Sequence, residues 1–133
     1  MTGVQTCALP IWPCPADGRP WYLEALHTPG HASGHLAFFE PFYRLLLAGD
    51  MISTLTSMVI APPDGDLAVY LHSLRRLRSL PIEMLLPAHG NVSTRPQQLI
   101  DEALEHRAKR ENQLLAALQE GPITIDEIGR AHV

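Results

Sequence analysis

Three short segments of the sequence each present a side chain that can bind a metal ion. They are HTPGH, LLLAGD and LLPAHG, which carry His31, Asp50 and His89. Each segment follows an apolar run, and a neighbouring glycine lets the backbone turn sharply. Neutral imidazole and carboxylate are ligands for zinc, iron and manganese, and hydrolytic metal sites leave a position open for water. We therefore predict that these side chains lie in three loops that together form part of a hydrolytic metal site.

Strands are predicted in front of each of these loops. Four short apolar runs bounded by glycine or proline predict strands over Trp21–His27, Leu36–Phe39, Leu45–Ala48 and Ile82–Leu86. Only a short stretch separates the second run from the third, which predicts a hairpin. A strand determines where its last residue points, so a site is expected in the loops at the strand ends.

A first helix is predicted after the hairpin. From Asp66 the apolar residues follow the i, i+3, i+4, i+7 pattern of an amphipathic helix, which Pro81 ends. Asp64 and Asp66 are interpreted as caps of this helix rather than as acid–base groups. The preceding segment, Ser53–Asp66, is long and rich in proline and small residues. It either borders the substrate or only covers the sheet.

A second, longer helix is predicted near the C-terminus. Ser93 or Thr94 can cap it, with Pro96 in the first turn and Gln97 completing a capping box, and it should run until Gly121. Because strands alternate with helices, the sequence predicts an α/β fold.

The order TPGH, then a strand ending in GD, then a helix and a strand ending in PAHG resembles the metallo-β-lactamase superfamily over about Trp21 to Asn91. In that family an HxHxDH motif, the histidine of TPGH, a bridging aspartate and a final histidine hold two metal ions. The resemblance implies that His31 binds one metal, that Asp50 bridges both and that His89 binds the second. It also implies two zinc ions in the intact parent protein, with iron or manganese as alternatives.

The resemblance implies a hydrolase in which a hydroxide that bridges the two metals would attack an ester, thioester or phosphodiester. Because Asp50 would bridge the same two metals, it is the expected catalytic residue. The stretch EHRAKRENQLLAAL followed by PITIDEI resembles the lactamase-beta-like endoribonuclease subgroup, which favours single-stranded RNA as the substrate. One alternative is a thioesterase similar to hydroxyacylglutathione hydrolase. A second alternative is a non-catalytic module that binds RNA or protein.

The chain is expected to be a fragment with four parts. Residues 1–11 and 127–133 resemble translated sequencing adapter, residues 12–95 form a partial metallo-β-lactamase domain, and residues 96–126 form the long helix and the truncated start of a winged-helix-like tail. The sequence contains no HxHxDH motif, so the fragment is expected to be inactive by itself. It should form the C-terminal half of the αββα sandwich, with one sheet face exposed and poor solubility as a consequence.

Composition argues against some classes of partner. The net charge of −4 argues weakly against a polyanion, and no apolar run is long enough for a membrane helix. A cytoplasmic location is therefore expected, with no membrane partner, and no oligomeric state is predicted. Cys7 and Cys14 are interpreted as incidental.

The remaining charged and imidazole groups are given structural roles. His35 lies four residues after the first candidate ligand, but in the resembling family this histidine is not a ligand, so we expect it to support the site. Arg107, Lys109 and Arg110 alternate with glutamates on the long helix. A solvated helix face is the preferred interpretation, and phosphate contact is the alternative.

Overall fold

In a computed structural model, the described residues are 8–13, 20–119, 121, 122, 124 and 126, and they form one sheet and two long helices. The strands are β1 (Ala8–Pro13), β2 (Pro20–His27), β3 (Leu36–Glu40), β4 (Leu45–Ser53) and β5 (Met84–His89). The helices are α1 (Leu67–Arg78) and α2 (Pro96–Gln119). The five strands are ordered as in the sequence, with antiparallel pairing from β1 to β4 and parallel pairing between β4 and β5. The predicted α/β fold is confirmed.

The hairpin of β3 and β4 is present as predicted, but β4 continues beyond its predicted end. Phe38 pairs with Leu47 in the antiparallel ladder, and the strand then runs through Asp50 to Ser53. The prediction that Asp50 lies in a loop after a strand is therefore wrong. The strand continues because its other edge pairs with β5, through an irregularity at Gly49 where φ is 56°.

Strand β5 begins and ends later than the sequence predicts. It covers Met84–His89 and includes Pro87, which was expected to end it. Proline is tolerated here because β5 is the edge strand of the sheet formed by the described residues, so one side of its backbone faces no other strand of that sheet. As a result His89 is the last residue of a strand, two positions after the proline.

Helix α1 begins at the predicted cap. The carboxylate of Asp66 accepts a hydrogen bond from the backbone N–H of Val69 at 3.0 Å. Helix α2 begins at Pro96, but the expected capping box is wrong: Nε2 of Gln97 instead donates to the carbonyl oxygen of Leu80 at 2.9 Å. Neither helix in the described part of the chain is both long and apolar enough to cross a membrane.

The hydrophobic core lies between one face of the sheet and the helices. Alternation along the strands points one set of side chains toward α1 and α2. The fully buried residues of this core include Leu46 and Leu85 from the sheet, Leu74 and Leu77 from α1, and Ile100 from α2. Beyond Ile100, α2 has no buried residue, so its C-terminal half extends from the core.

The opposite face of the sheet, here called the outer face, consists of Leu36, Phe38, Leu47, Met84 and Leu86. Three of these side chains are exposed, Leu36 at 44%, Leu47 at 37% and Met84 at 38%. In the described part of the chain no element covers this face. The expectation of one exposed sheet face is confirmed.

The ends of the chain lie mostly outside these observations. Strand β1 includes Ala8–Ile11 of the segment that resembles adapter, and it pairs with β2. The origin of that segment and the four domain boundaries stay predictions. The segment 127–133 lies outside the described residues, as do residues 120, 123 and 125 of the winged-helix-like tail.

Candidate metal centre

Asp50 and His89 meet where the parallel strands β4 and β5 end at the same edge of the sheet. Nε2 of His89 lies 3.3 Å from Oδ1 of Asp50. Although the two atoms are near each other, Oδ1 is buried and has no hydrogen-bond partner among the described residues. A buried carboxylate oxygen without a partner is costly, commonly about 1–3 kcal/mol or more. The pair therefore presents an unsatisfied anionic oxygen next to an imidazole nitrogen.

This pair has the donor chemistry that a zinc or iron ion requires. Two ligand atoms that each lie about 2.0–2.1 Å from a tetrahedral ion are roughly 3.3 Å apart. The observed separation of 3.3 Å between Oδ1 of Asp50 and Nε2 of His89 fits that arrangement. A cation would also satisfy the carboxylate oxygen that the protein leaves without a partner.

His31 lies in the loop after β2, and one of its ring nitrogens is already engaged. Nδ1 lies 2.9 Å from the carbonyl oxygen of Val59, which can only accept, so Nδ1 carries the proton. Nε2 then keeps a lone pair for a ligand, which is how metal-binding histidines are usually oriented. Within the described residues, however, no three His, Cys, Asp or Glu side chains are close enough to hold one ion. The structure brings Asp50 and His89 together, and the three-ligand assignment stays a prediction.

His35 supports Asp50 through the backbone. The N–H of Asp50 donates to Nε2 of His35 at 3.0 Å, so the proton of the ring must be on Nδ1. Nδ1 lies 2.8 Å from Oγ1 of Thr28 and donates to it. Burial lowers the pKa of His35, which agrees with a neutral ring. Both ring nitrogens are used within the protein, as expected for a supporting role rather than a ligand role.

Two glycines are required by close packing around the site. A Cβ at Gly49 would lie 2.6 Å from Nε2 of His35, so a side chain there would displace the ring. A Cβ at Gly30 would lie 2.2 Å from the Cα of Tyr70, and the φ of Gly30 is 127°. The loop that carries His31 therefore packs directly against the backbone of α1.

The contacts that hold the His31 loop were not predicted from the sequence. Asp64 was interpreted as a helix cap, but its Oδ1 accepts from the N–H of Ser33 at 2.9 Å. The hydrogen bonds from Ser33 lower the pKa of Asp64. The N–H of Asp66 also donates to the carbonyl oxygen of Gly30 at 2.8 Å. The segment before α1 thus fixes the His31 loop, and only the proximity of Asp64 to the helix start gave a signal, which pointed to the wrong role.

Comparison with known proteins finds the same family over the site. A family model described as "Metallo-beta-lactamase superfamily" matches residues 17–89, which include all three candidate ligands. The chain is 33% identical over 98 residues to the Beta-lactamase-like protein 2 homolog of Caenorhabditis elegans, covering 74% of this chain and 32% of that protein. It is 31% identical over 108 residues to an Atrochrysone carboxyl ACP thioesterase of Aspergillus fumigatus, covering 77% and 33%. It is 32% identical over 113 residues to the Probable metallo-hydrolase YqjP of Bacillus subtilis, covering 79% and 35%.

Solved structures show the same similarity. The metallo-beta-lactamase family protein TTHA1429 of Thermus thermophilus is 30% identical, with a TM-score of 0.74 over 92% of this chain and 40% of that one. TTHA1623 in a di-iron-bound form is 33% identical, with a TM-score of 0.52 over 74% of this chain and 47% of that one. The chain spans about a third of the length of the curated relatives, whose shares are 32%, 33% and 35%.

Proposed function

The chain belongs to the metallo-beta-lactamase superfamily, and from this premise we propose that it is part of a metal-dependent hydrolase whose metal ions are held in part by His31, Asp50 and His89. The observation that carries the proposal is the buried Oδ1 of Asp50, which accepts no hydrogen bond from the described residues and lies 3.3 Å from Nε2 of His89. Its coarse chemistry is supported by relatives named as a thioesterase and a metallo-hydrolase. The di-iron form of one similar structure supports divalent metal ions without distinguishing zinc from iron.

Each protein group has a separate task in this proposal. Asp50 and His89 offer ligand atoms at the strand ends, while His35 holds the backbone of Asp50 in place. Val59 holds the proton of His31 on Nδ1 and so leaves Nε2 as the ligand atom. When bound, such ions polarise the bond that is cleaved and lower the pKa of water, which is the chemistry that ester and phosphodiester hydrolysis share.

Between the predicted substrates, we propose an ester or thioester rather than RNA. RNA binding needs cationic side chains that are available to phosphates. On α2 the cationic side chains Arg107, Lys109 and Arg110 alternate with glutamates, so the helix does not present a continuous basic surface to phosphates. The overall charge of −4 gives no compensating attraction. The endoribonuclease subgroup therefore stays a prediction from the sequence alone.

Zinc binding by the purified chain tests this proposal. We expect weak binding, because the described residues do not bring three ligands together, and a loss of at least about tenfold in affinity for His89→Ala. His72→Ala is the matched control, because His72 is exposed on α1, and its affinity should equal that of the original chain. Isothermal titration calorimetry with zinc measures both values. A His89→Ala chain that binds zinc as well as the original would refute the assignment, as would the absence of any binding.

The same preparation separates a hydrolase from a non-catalytic module. A half-site that binds metal through Asp50 and His89 supports the hydrolase, whereas a basic helix that binds RNA without metal supports the module. Little turnover is expected from this chain alone because its three candidate ligands are not assembled around one point within the described residues. Rapid hydrolysis of an activated ester by the zinc-loaded chain would contradict that expectation.

A further inference from the structure

A cavity of about 320 Å³ lies between the segment after Asp50 and helix α2. One wall is residues 52–58, and the other is formed by α2 from Leu99 to Arg107. Pockets of this size suit small organic molecules. The lining mixes apolar side chains with hydroxyl groups and also contains titratable side chains, so it can recognise both a charged group and an apolar body.

The cavity adjoins the candidate metal centre. Ile52 is two residues beyond Asp50 on the same strand, and Ser53 pairs with His89 in the parallel ladder. The N–H of Thr54 donates to the carbonyl oxygen of His89 at 3.3 Å. The wall of the cavity and the candidate ligands are therefore parts of one hydrogen-bonded strand end. A molecule in the cavity would lie beside the proposed reaction centre.

Arg107 is the positioned cation in this cavity. Its Nη2 donates to the carbonyl oxygen of Met58, and its guanidinium carbon lies 5.6 Å from the centroid of the Tyr70 ring. None of the ion pairs in the described part of the chain includes Arg107. A guanidinium has five N–H donors, so the contact with Met58 leaves donors that a ligand can use. The sequence-based interpretation of a solvated helix face is wrong for this half-buried residue.

The charges of the lining favour a ligand with one negative charge. Arg107 contributes a positive charge to the lining, and Glu102 contributes a negative one. Oε1 of Glu102 accepts from Nε2 of Gln98 at 2.7 Å, and Nδ1 of His106 lies 3.3 Å from Oγ of Ser57. Because Glu102 offsets the charge of Arg107, the lining suits a singly charged carboxylate better than a doubly charged phosphate. The planar guanidinium also matches a carboxylate in geometry.

We propose that this cavity binds the carboxylate of an acidic organic molecule through Arg107, with the apolar body of the molecule against Met58 and Leu99. The claim that the cavity holds the acidic end of an ester or thioester substrate rests on the proposed hydrolase function. The claim that the cavity binds a carboxylate does not depend on a metal ion. These two claims can fail separately.

Hexanoate is the probe, added to the metal-free chain while backbone amide signals are followed by nuclear magnetic resonance. We expect saturable shifts at Thr56 and Ser57, and affinity at least about tenfold weaker for Arg107→Met because the charge-assisted hydrogen bonds are lost. Arg110→Met is the matched control, since Arg110 is on the same helix and does not line the cavity, and its affinity should not change. Hexanol and inorganic phosphate should each bind at least about tenfold more weakly than hexanoate.

A second variant protects the test against a folding defect in Arg107→Met. Ala103 lines the cavity, so Ala103→Leu fills it without altering a charge and should also abolish hexanoate binding. Equal binding of hexanol and hexanoate, tighter binding of phosphate, undiminished binding by either cavity variant, or no binding of hexanoate would overturn the proposal. Because zinc is absent, these results do not depend on the metal assignment, which the His89→Ala titration tests separately.

Discussion

Asp50 is held in place by its backbone, and this leaves its carboxylate available. Its N–H donates to His35, which in turn donates to the buried hydroxyl of Thr28. A residue fixed in this way does not need its side chain for its own position. The row from Thr28 through His35 to Asp50 therefore combines a rigid site with an unsatisfied ligand atom.

Replacing Thr28 with valine tests this row. Valine keeps the shape but removes the acceptor, so the partly buried N–H of His35 loses its partner. We expect the free energy of unfolding to fall by about 1–3 kcal/mol. Urea denaturation followed by circular dichroism measures the change. Thr56→Val is the matched control, because Thr56 is exposed, and it should change the value by less than about 0.5 kcal/mol. Equal stability of the two variants would show that the Thr28 hydroxyl has no structural role.

The sequence identifies candidate ligand types but not the contacts that orient them. Histidine and aspartate at motif positions are visible in the sequence, as are the glycines beside them. The acceptor of the His31 proton is a backbone carbonyl at Val59, which lies 28 residues away along the chain. A carbonyl group is common to every residue, so no residue type marks it. Its role depends on how the segment before α1 folds back onto the loop.

At the level of elements, apolar periodicity predicted α1, capping residues predicted α2 and two short apolar runs predicted the hairpin, whereas the ends of β4 and β5 were predicted wrongly. Apolar periodicity reports which face of an element is buried. It does not report that Asp50 remains in a strand because β4 has a second neighbour, or that Pro87 is tolerated at a sheet edge. Strand ends at the site are decided by pairing partners that are distant in sequence.

The two helices are joined by an exposed ion pair, which predicts a dependence on pH. Nε of Arg78 on α1 lies 2.7 Å from Oδ1 of Asp101 on α2, and this hydrogen bond lowers the pKa of Asp101. Because the folded-state pKa is below the ordinary value of 3.8, the stabilisation is present above that value and is lost as pH falls through the folded-state pKa. Asp101→Asn should therefore lower the urea midpoint slightly at neutral pH and should not change it at pH values where Asp101 is protonated.

Glu105→Gln is the control for this prediction, because Glu105 is exposed on the same helix and belongs to none of the ion pairs in the described residues. Its effect should be smaller than that of Asp101→Asn at neutral pH. Both partners of the pair are exposed, so the effect should also decrease at high salt. A difference for Asp101→Asn that persists after acidification would exclude the ion pair as its cause.

At the level of the whole molecule, the sheet is covered on one side only within the described part of the chain. Leu46 and Leu85 are fully buried on the helix side, while Leu36, Leu47 and Met84 on the outer face are more than a third exposed. Strands β3, β4 and β5 are nearly continuous apolar runs, so they carry apolar side chains on both faces of the sheet. Strands of this composition normally lie between two layers. A contiguous apolar surface without a second layer favours association.

We therefore expect the purified chain to self-associate through the outer face. Replacing Leu47 with threonine and Met84 with lysine keeps a strand-compatible residue in the central strand and adds a charge at the edge, so both self-association and binding of the dye ANS should decrease. Sedimentation velocity over a range of concentrations measures the first, and fluorescence measures the second. Leu115→Lys is the matched control, because Leu115 is also exposed, at 52%, but lies on the extended half of α2. If this control reduces association as strongly as the double substitution, the surface of α2 around Leu115 contributes to association, which contradicts the assignment to the outer face alone. If the original chain is monomeric and does not bind ANS, the outer face is not an associating surface.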